Sequence, residues 1–414
     1  MKKSPHHFFT FFYVFFLFPF TAQKANAHEE KMQSYLLKLK DHNHKSLNTF
    51  WIHQFAAKKG LHHYKNLPQL QHLVLGHQNL QDIWKEHSED IEYIEPDYQL
   101  WADSDIPSSV SSKQWGLDNS ANDVDIDVLS AWQTTMGDPE IVVAVVDSGI
   151  DFNHSALKKN IWLNSKELGD NKLDDDKNGK VDDLYGWNFR EQNNNPVDEN
   201  SHGTHVSGLI AGNSKSFKGV APKVKIMPLK FLGSNGSGST SQAIEAIDYA
   251  IENGAKIINC SWGGGAYSQA LKDILLKAEE KGILIIASAG NTNTNLDKTP
   301  SYPASYHLPN MIVVASVTPD GSKSISSSYG PNTVDLAAPG TDIYSTVPGN
   351  KYDYKSGTSM ATPLVTGAAA LIWSEYKSWN YSDVKNLILE NVKKLDGLKG
   401  KVKAEGIVDL KNIF

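Results

Sequence analysis

The chain has 414 residues, a formal net charge of −7, and 40% hydrophobic and 21% charged residues. These values are ordinary for a globular protein of two or three domains, and the negative charge speaks against a nucleic-acid-binding surface. The single cysteine, Cys260, excludes an intrachain disulfide, so stability must come from core packing or from a bound metal.

The first 27 residues have the composition of a signal peptide. Lys2 and Lys3 precede a strongly apolar run over 8–20, and the segment 25–27 matches an A-x-A cleavage signature. A membrane anchor is the alternative, but the run is shorter than the ~20 residues that a spanning helix needs. No later stretch is apolar enough to span. We therefore expect a secreted protein, extracellular or periplasmic, with no membrane association in its mature form.

Residues 28–108 differ in composition from the rest of the chain. This segment is rich in His, Lys, Gln and Leu and nearly free of glycine. It contains a stretch over 32–39 that alternates in part like a strand, and it closes with the segment 91–97. A stretch rich in Ser and Asp over 102–112 then reads as a linker to a larger domain over 113–414. The residues alone leave open whether 28–108 is a permanent accessory domain.

The larger domain alternates short apolar runs with helical patterns. The patterns over Thr240–Glu252 and 267–281 are helical, and they lie between runs that lack polar alternation. Such runs are typical of strands that are buried on both faces. The predicted strands are 141–146, 225–229, 257–260, 283–287 and 311–315. The pattern therefore predicts a mostly parallel sheet covered by helices.

Three short motifs, over 143–149, 202–208 and 357–363, supply an aspartate, a histidine and a serine in that order. Asp147 closes a buried strand, at the sheet edge where α/β proteins place their sites. His202 and Ser359 each begin a helical stretch. A serine activated by a histidine that a carboxylate orients is a nucleophilic triad. We therefore predict that Ser359 is the nucleophile, His202 the general base and then acid, and Asp147 the orienting carboxylate.

Two further residues, His205 and Cys260, could be taken for functional residues, but we predict structural roles for both. His205 lies one turn from His202 and could form a metal pair with it, but no Glu stands between them, as the zinc-peptidase motif requires. We predict a structural role for His205. Cys260 follows an apolar run, and we predict a buried apolar residue and not a nucleophile.

An acidic loop lies between the first two motifs. It has the D-x-D-x-N-G pattern of calcium loops, in which Gly179 permits a sharp turn, although Tyr185 replaces the closing Glu of an EF-hand. A solvated acidic turn is the alternative. We predict a structural Ca²⁺. Its predicted ligands are the side chains of Asp174, Asp176, Asn178, Asp182 and Asp183 and the backbone oxygen of Lys180.

In their sequence and their order, the three catalytic motifs resemble those of the subtilisin-like serine peptidases (subtilases, peptidase family S8). The likeness extends over nearly all of 113–414. It implies a three-layer, subtilisin-like α/β fold with a mostly parallel central sheet flanked by helices. It also implies that 28–108 is a small α+β propeptide domain, an inhibitor and folding chaperone, because the segment 91–97 resembles the close of a subtilase propeptide before its cleavable linker.

The resemblance assigns roles to residues around the triad. Asn291 matches the subtilase asparagine that donates its amide to the oxyanion. Ser301 matches the floor of the pocket for the side chain before the scissile bond, where a serine favours medium apolar side chains over the largest aromatic ones. Two segments resemble those between which a substrate strand inserts. The implied substrate-binding residues are Gly236, Ser237, Gly238, Ser261, Trp262, Gly263, Gly264, Ala289, Gly290 and Ser301.

Together these features predict a secreted, self-processing serine endopeptidase that acts as a monomer and has no nucleic-acid partner. Its protein or peptide substrates, and its own propeptide, are expected to bind as an added strand through backbone hydrogen bonds. Two alternatives stay open. One is a processing peptidase of narrow specificity, and the other is a catalytically silent, subtilase-like binding protein.

Overall fold

The computed structural model describes residues 35–39, 64–67, 72–75, 91–96, 99–102, 113–119, 121–169 and 171–414. All of them belong to one compact unit, Gln33–Phe414. The predicted signal peptide over 1–27 and nearly all of the predicted linker over 102–112 lie outside the described residues. No helix in the described part of the chain is long and apolar enough to cross a membrane.

Strands and helices alternate along the described chain. The strands are β1 Tyr35–Leu39, β2 Tyr64–Leu67, β3 His72–Leu75, β4 Ile91–Pro96, β5 Gln99–Ala102, β6 Val142–Asp147, β7 Trp187–Asn188, β8 Lys225–Lys230, β9 Ser237–Ser239, β10 Ile257–Cys260, β11 Trp262–Gly263, β12 Leu284–Ser288, β13 Met311–Val317, β14 Leu336–Pro339, β15 Ile343–Val347, β16 Lys351–Lys355, β17 Val392–Lys394 and β18 Gly406–Val408. The helices are α1 Val128–Trp132, α2 His202–Ala211, α3 Thr240–Glu252, α4 Gln269–Glu280, α5 Thr358–Glu375 and α6 Tyr381–Glu390.

The central sheet of the described residues has the strand order β17-β18-β14-β13-β12-β10-β6-β8-β7. Neighbouring strands are parallel throughout, except that β17 runs antiparallel to β18. The strands at the centre of the sheet are buried over nearly their whole length, which explains their unbroken apolar runs. Every strand predicted for the larger domain is present, with ends that shift by at most two residues.

Helices cover this sheet and complete the predicted fold. Helix α5 packs against β10, β12, β13 and β14 and against α2, whereas α3 packs against β6, β8 and α4. Residues 358–374 of α5 are all buried, as expected for a helix that is apolar on every side. The helix predicted over 267–281 is shorter, Gln269–Glu280, and it begins at Gln269 because the Ser268 side chain accepts the Leu271 N–H as its N-cap. The three-layer α/β fold predicted from the sequence is confirmed.

The described part of 28–108 forms an antiparallel sheet of order β2-β3-β1-β4. Its last strand, β4, covers 91–96 of the predicted segment 91–97, and residue 97 lies outside the described residues. The next strand, β5, leaves this sheet and pairs instead with β9 and β11 of the larger domain. The helices that the α+β prediction implies would fall outside the described residues, so this part of the prediction stays a prediction.

Candidate active site

Asp147 and His202 form a buried, hydrogen-bonded pair at the carboxyl edge of the central sheet. The imidazole Nδ1 lies 2.8 Å from Asp147 Oδ1 and 3.0 Å from Oδ2, and both side chains are fully buried. Since a carboxylate only accepts, Nδ1 carries the proton and Nε2 is the basic nitrogen. In the described part of the chain no atom hydrogen-bonds to Nε2. The pair therefore presents a base with an open lone pair.

The protonation of His202 depends on opposing effects. Burial lowers the pKa of His202, but the charge of Asp147 and its hydrogen bond more than offset this, so the pKa lies above the usual value. Burial and the charge of Lys355 hold the pKa of His205 well below its usual range. His205 Nε2 donates to the Ile343 carbonyl at 3.0 Å, in agreement with the predicted structural role.

Two glycines allow the aspartate and histidine segments to approach this closely. A Cβ atom on Gly203 would lie 2.2 Å from the Gly149 carbonyl oxygen and 3.2 Å from Asp147 Oδ1. Gly149 itself has a φ of +106°, and a Cβ there would meet the Pro196 carbonyl oxygen at 2.3 Å. Any side chain at either position would separate His202 from its carboxylate partner.

Ser359 lies in the first turn of α5, which begins one residue earlier than predicted, at Thr358. Its hydroxyl donates to the Ser261 carbonyl at 2.9 Å, and the Ser261 hydroxyl donates back to the Ser359 carbonyl at 3.1 Å. Since Ser261 directly precedes β11, Ser359 lies next to the start of that strand. The start of a helix offers unpaired N–H groups and a favourable dipole for an anion that forms there.

Asn291 meets the helix start at the same place. Its Oδ1 accepts the Thr358 N–H at 2.9 Å and the Thr358 hydroxyl at 3.2 Å. These bonds fix the amide so that Nδ2 is the free end, and no described residue accepts a hydrogen bond from this buried nitrogen. A held amide with an unpaired N–H beside a nucleophile is the arrangement that an oxyanion hole requires.

The predicted strand-binding cleft is occupied by the chain's own residues 99–102. Strand β5 pairs antiparallel with β9, with Trp101 opposite Ser237 and Leu100 opposite Gly238. On its other side it pairs antiparallel with β11, with Ala102 opposite Trp262. The two predicted segments therefore do flank an inserted strand, which runs toward Ser261 and so toward the Ser359 hydroxyl.

The remaining predicted binding residues lie around the end of this cleft. The Gly264 N–H donates to the Tyr302 carbonyl at 3.0 Å, next to Ser301. The Gly290 N–H donates to the Thr358 hydroxyl at 3.1 Å, which joins the 289–290 segment to the helix start. Gly236 turns the chain into β9 with a φ of +74°. Cys260, at the end of β10, is fully buried, and burial raises the pKa of its thiol, which agrees with the predicted apolar role.

Three carboxylates that could hold a metal lie in and near the acidic loop. Ligand atoms of Glu167, Asp176 and Asp183 all lie within 4.8 Å of one another. Glu167 Oε2 is buried and has no hydrogen-bond partner among the described residues, and burial raises the pKa of this carboxyl. Because like charges this close repel unless a cation lies between them, and because Ca²⁺ prefers carboxylate oxygens, the group fits a calcium ion.

The structure brings together only part of the predicted ligand set. Asp176 and Asp183 belong to the group, and Asn178 Nδ2 donates to Asp183 Oδ2 at 2.9 Å. Asp174 instead accepts the N–H groups of Asn178 and Gly179. Asp182 likewise accepts two backbone N–H groups, from residues 171 and 172, and so closes the loop. The place of the Lys180 backbone oxygen in the ligand set stays a prediction.

Sequence reasoning did not single out several residues of the site. Glu167 lies outside the loop pattern, and only folding brings it to Asp183. Ser148 and Asp198 join the two acid–base segments, and Lys355 lies near His202. Asp198 carried only a weak signal, since the helix dipole favours an acidic residue close before a helix start. Lys355 carried none.

The comparisons with known proteins agree with this geometry. The model of the subtilase family matches residues 138–407. Subtilisin-like protease 1 of Plasmodium falciparum (isolate 3D7) is 37% identical over 319 residues, 72% of this chain and 46% of that protein. The thermophilic serine proteinase of Bacillus sp. (strain AK1) is 34% identical over 313 residues, 74% of this chain and 69% of that protein. The chain thus spans about half the length of the subtilisin-like protease 1 relatives that it matches. It belongs to the subtilase family of serine peptidases.

Proposed function

We propose that this chain is a serine endopeptidase that hydrolyses peptide bonds through an acyl-enzyme on Ser359. The observation that carries the proposal is the meeting of three features at one sheet edge. These are the buried Asp147–His202 pair with its open Nε2, the unpaired amide of Asn291, and a cleft that takes an extended strand up to Ser359.

The residues divide the reaction between them. His202 Nε2 takes the proton of the Ser359 hydroxyl as the oxygen attacks the carbonyl carbon, and Asp147 stabilises the imidazolium that forms. The developing oxyanion receives the Asn291 amide and the Ser359 N–H. The imidazolium then gives its proton to the leaving amine, and a water activated by the same base releases the acid product.

We propose that 28–108 acts as an inhibitory propeptide. Strand β5 fills the cleft in the way that a substrate would. The preceding sheet contacts helix α4, where Asp273 accepts hydrogen bonds from Lys38 Nζ and the Tyr93 hydroxyl, each at 3.0 Å. The Glu95 carboxylate accepts the N–H groups that begin the same helix. A segment with these contacts blocks the cleft until it is cut and released.

Secretion and a structural calcium complete the proposal. The n-region, apolar run and cleavage signature over 1–27 support export to the medium or the periplasm. Glu167, Asp176 and Asp183 would hold the ion, which when bound would offset two of the three negative charges of these clustered carboxylates. The ion has no part in the chemistry at Ser359.

The test is the mass of the secreted wild type beside Ser359→Ala. If only the wild type loses the N-terminal segment, Ser359 is the nucleophile that cuts its own chain. If both are cut alike, another protease matures the chain, and self-processing is wrong. If neither is cut and a covalent serine-directed probe labels neither, the proposed function is wrong and a silent binding protein takes its place. Digestion of casein by the mature form separates a general endopeptidase from a narrow processing peptidase.

A further inference from the structure

Ser148, the residue after Asp147, is fully buried and makes hydrogen bonds in three directions. Its N–H donates to Asp147 Oδ1 at 2.7 Å. Its hydroxyl donates to Asp198 Oδ1 at 2.8 Å and accepts the Gly203 N–H at 2.9 Å. Its carbonyl accepts a bond from the buried ammonium of Lys230 at 3.0 Å. One residue therefore joins the strand end that carries the aspartate to the helix start that carries the histidine.

Asp198 is the charged partner in this arrangement, and it is 5% exposed. Besides the Ser148 hydroxyl, its Oδ1 accepts the N–H groups of Asn200 and Ser201, both at 2.9 Å. Its Oδ2 accepts the Thr204 N–H at 2.9 Å and the Thr204 hydroxyl at 2.6 Å. A carboxylate so placed satisfies free donors in the first turn of α2, and hydrogen bonds to a charged acceptor are among the strong ones.

We propose that Asp198 is a positioning residue for the reaction at Ser359. It holds the Asp147 turn through Ser148 and the first turn of α2 through its bonds to that helix, and so fixes the Asp147–His202 pair in one geometry. This inference rests on the proposed function, because it concerns the same site. Asp198 makes no contact with the reacting atoms and acts through its neighbours.

Asp198 also carries a buried charge near the imidazole, and this gives a distinct readout. The charged and titratable groups around His202 are Asp147 on β6, Asp198 before α2, Lys355 at the end of β16, and His205 on α2 itself. Beyond the effect of burial, which lowers the pKa of His202, the two aspartates raise it and Lys355 lowers it. Removing Asp198 and removing Lys355 should therefore move this pKa in opposite directions.

The kinetic test compares Asp198→Asn with Lys355→Met and with Glu191→Gln. We expect Asp198→Asn to lower kcat by about 10- to 100-fold with little change in KM, since a small misplacement of the acid–base pair costs this much. The acidic limb of the kcat/KM profile against pH should move to lower pH in Asp198→Asn. In Lys355→Met the same limb should move to higher pH. Glu191→Gln removes one charge from the same loop at an exposed position and should change neither. An Asp198→Asn variant that matches Glu191→Gln in both readouts overturns the proposal.

A second test needs no turnover. In the full chain with Ser359→Ala, an NMR titration follows the pKa of His202 with Asp198 present and with Asp198→Asn. A lower pKa in the second protein supports the proposal, and an equal pKa overturns it. Failure of the wild type to hydrolyse peptides would count against the proposed function and leave this result standing.

If Asp198→Asn does not fold, two milder substitutions at Ser148 still test the proposal. Ser148→Ala removes the hydroxyl that links the two segments, whereas Ser148→Thr keeps it. We expect the alanine variant to lose kcat and the threonine variant to retain more of it. Equal kcat values in the wild type and Ser148→Ala would contradict the proposed link.

Discussion

Glu95 caps helix α4 at Gln269. The Glu95 Oε2 accepts the Gln269 N–H at 2.8 Å, while Oε1 accepts the Ala270 N–H at 3.0 Å and the Ser268 hydroxyl at 2.5 Å. The first N–H groups of a helix have no partner within the helix, and a carboxylate there also meets the favourable end of the dipole. Glu95, in the last strand of the N-terminal sheet, thus caps the first turn of helix α4 in the larger domain.

We predict that Glu95→Ala weakens the hold of the N-terminal segment on the cleft. A lost cap costs about 1 kcal/mol, within a range of roughly 0.5–2, and 1.4 kcal/mol corresponds to a tenfold change in affinity. The full-length precursor should therefore develop casein-hydrolysing activity after a shorter lag.

The matched control is Glu92→Ala, because Glu92 lies in the same strand but is half-exposed, with Lys38 Nζ at 3.8 Å. Exposed pairs of this kind contribute little. Titration of active serines corrects the lag for any loss of folded protein. Equal lags for Glu95→Ala and Glu92→Ala would show that the cap does not control release.

The Asn291 amide is expected to act only in the transition state. Asn291→Ala should lower kcat by about 100-fold or more with KM nearly unchanged, as loss of one oxyanion donor does. Steady-state kinetics on a peptide substrate measure the separate effects on kcat and KM. In a Ser359→Ala background the same change should have a smaller effect, because the Ser359 oxygen no longer places the oxyanion beside the amide. An equal fractional loss in both backgrounds would mean that Asn291 only supports the fold of the loop.

The pH dependence of activity should follow His202. Since only the neutral imidazole accepts the serine proton, kcat/KM falls as pH drops through the pKa of His202. The effect of burial on that pKa is more than offset by Asp147, so the acidic limb should lie above about pH 6.5, the ordinary value. Asp147→Asn removes the charge, so any remaining limb moves to lower pH and kcat falls by about 10⁴-fold. If the acidic limb of kcat/KM stays at the same pH in Asp147→Asn, the limb reports the titration of a group other than His202.

The sequence was sufficient for the parts of the molecule that are set locally. Unbroken apolar runs identified the parallel strands, because strands buried on both faces cannot alternate. The order of the Asp147, His202 and Ser359 motifs indicated the site, and Gly203 belongs to one of these motifs because only glycine allows the close approach seen there.

Contacts between segments that are distant in the chain could not be predicted from the sequence. Nothing in the local pattern around Glu95 indicates that it caps Gln269, since the two are far apart in the chain. Nor does the pattern around Asp198 show that it binds Ser148. The calcium loop illustrates the same limit, because alternating acids predict ligands only if each one turns inward. The structure turns Asp182 toward backbone N–H groups and brings Glu167 from outside the loop.

This difference gives the last prediction. If Ca²⁺ binds the group of Glu167, Asp176 and Asp183, a chelator should lower the Tm of the wild type, since a ligand at 100 times its Kd stabilises by about 2.7 kcal/mol. Glu167→Gln should lose most of this calcium-dependent shift in Tm. Asp182→Asn should lower Tm with and without calcium alike, because its carboxylate closes the loop through backbone bonds. The opposite result, a shift kept in Glu167→Gln and lost in Asp182→Asn, would favour the ligand set predicted from the loop pattern.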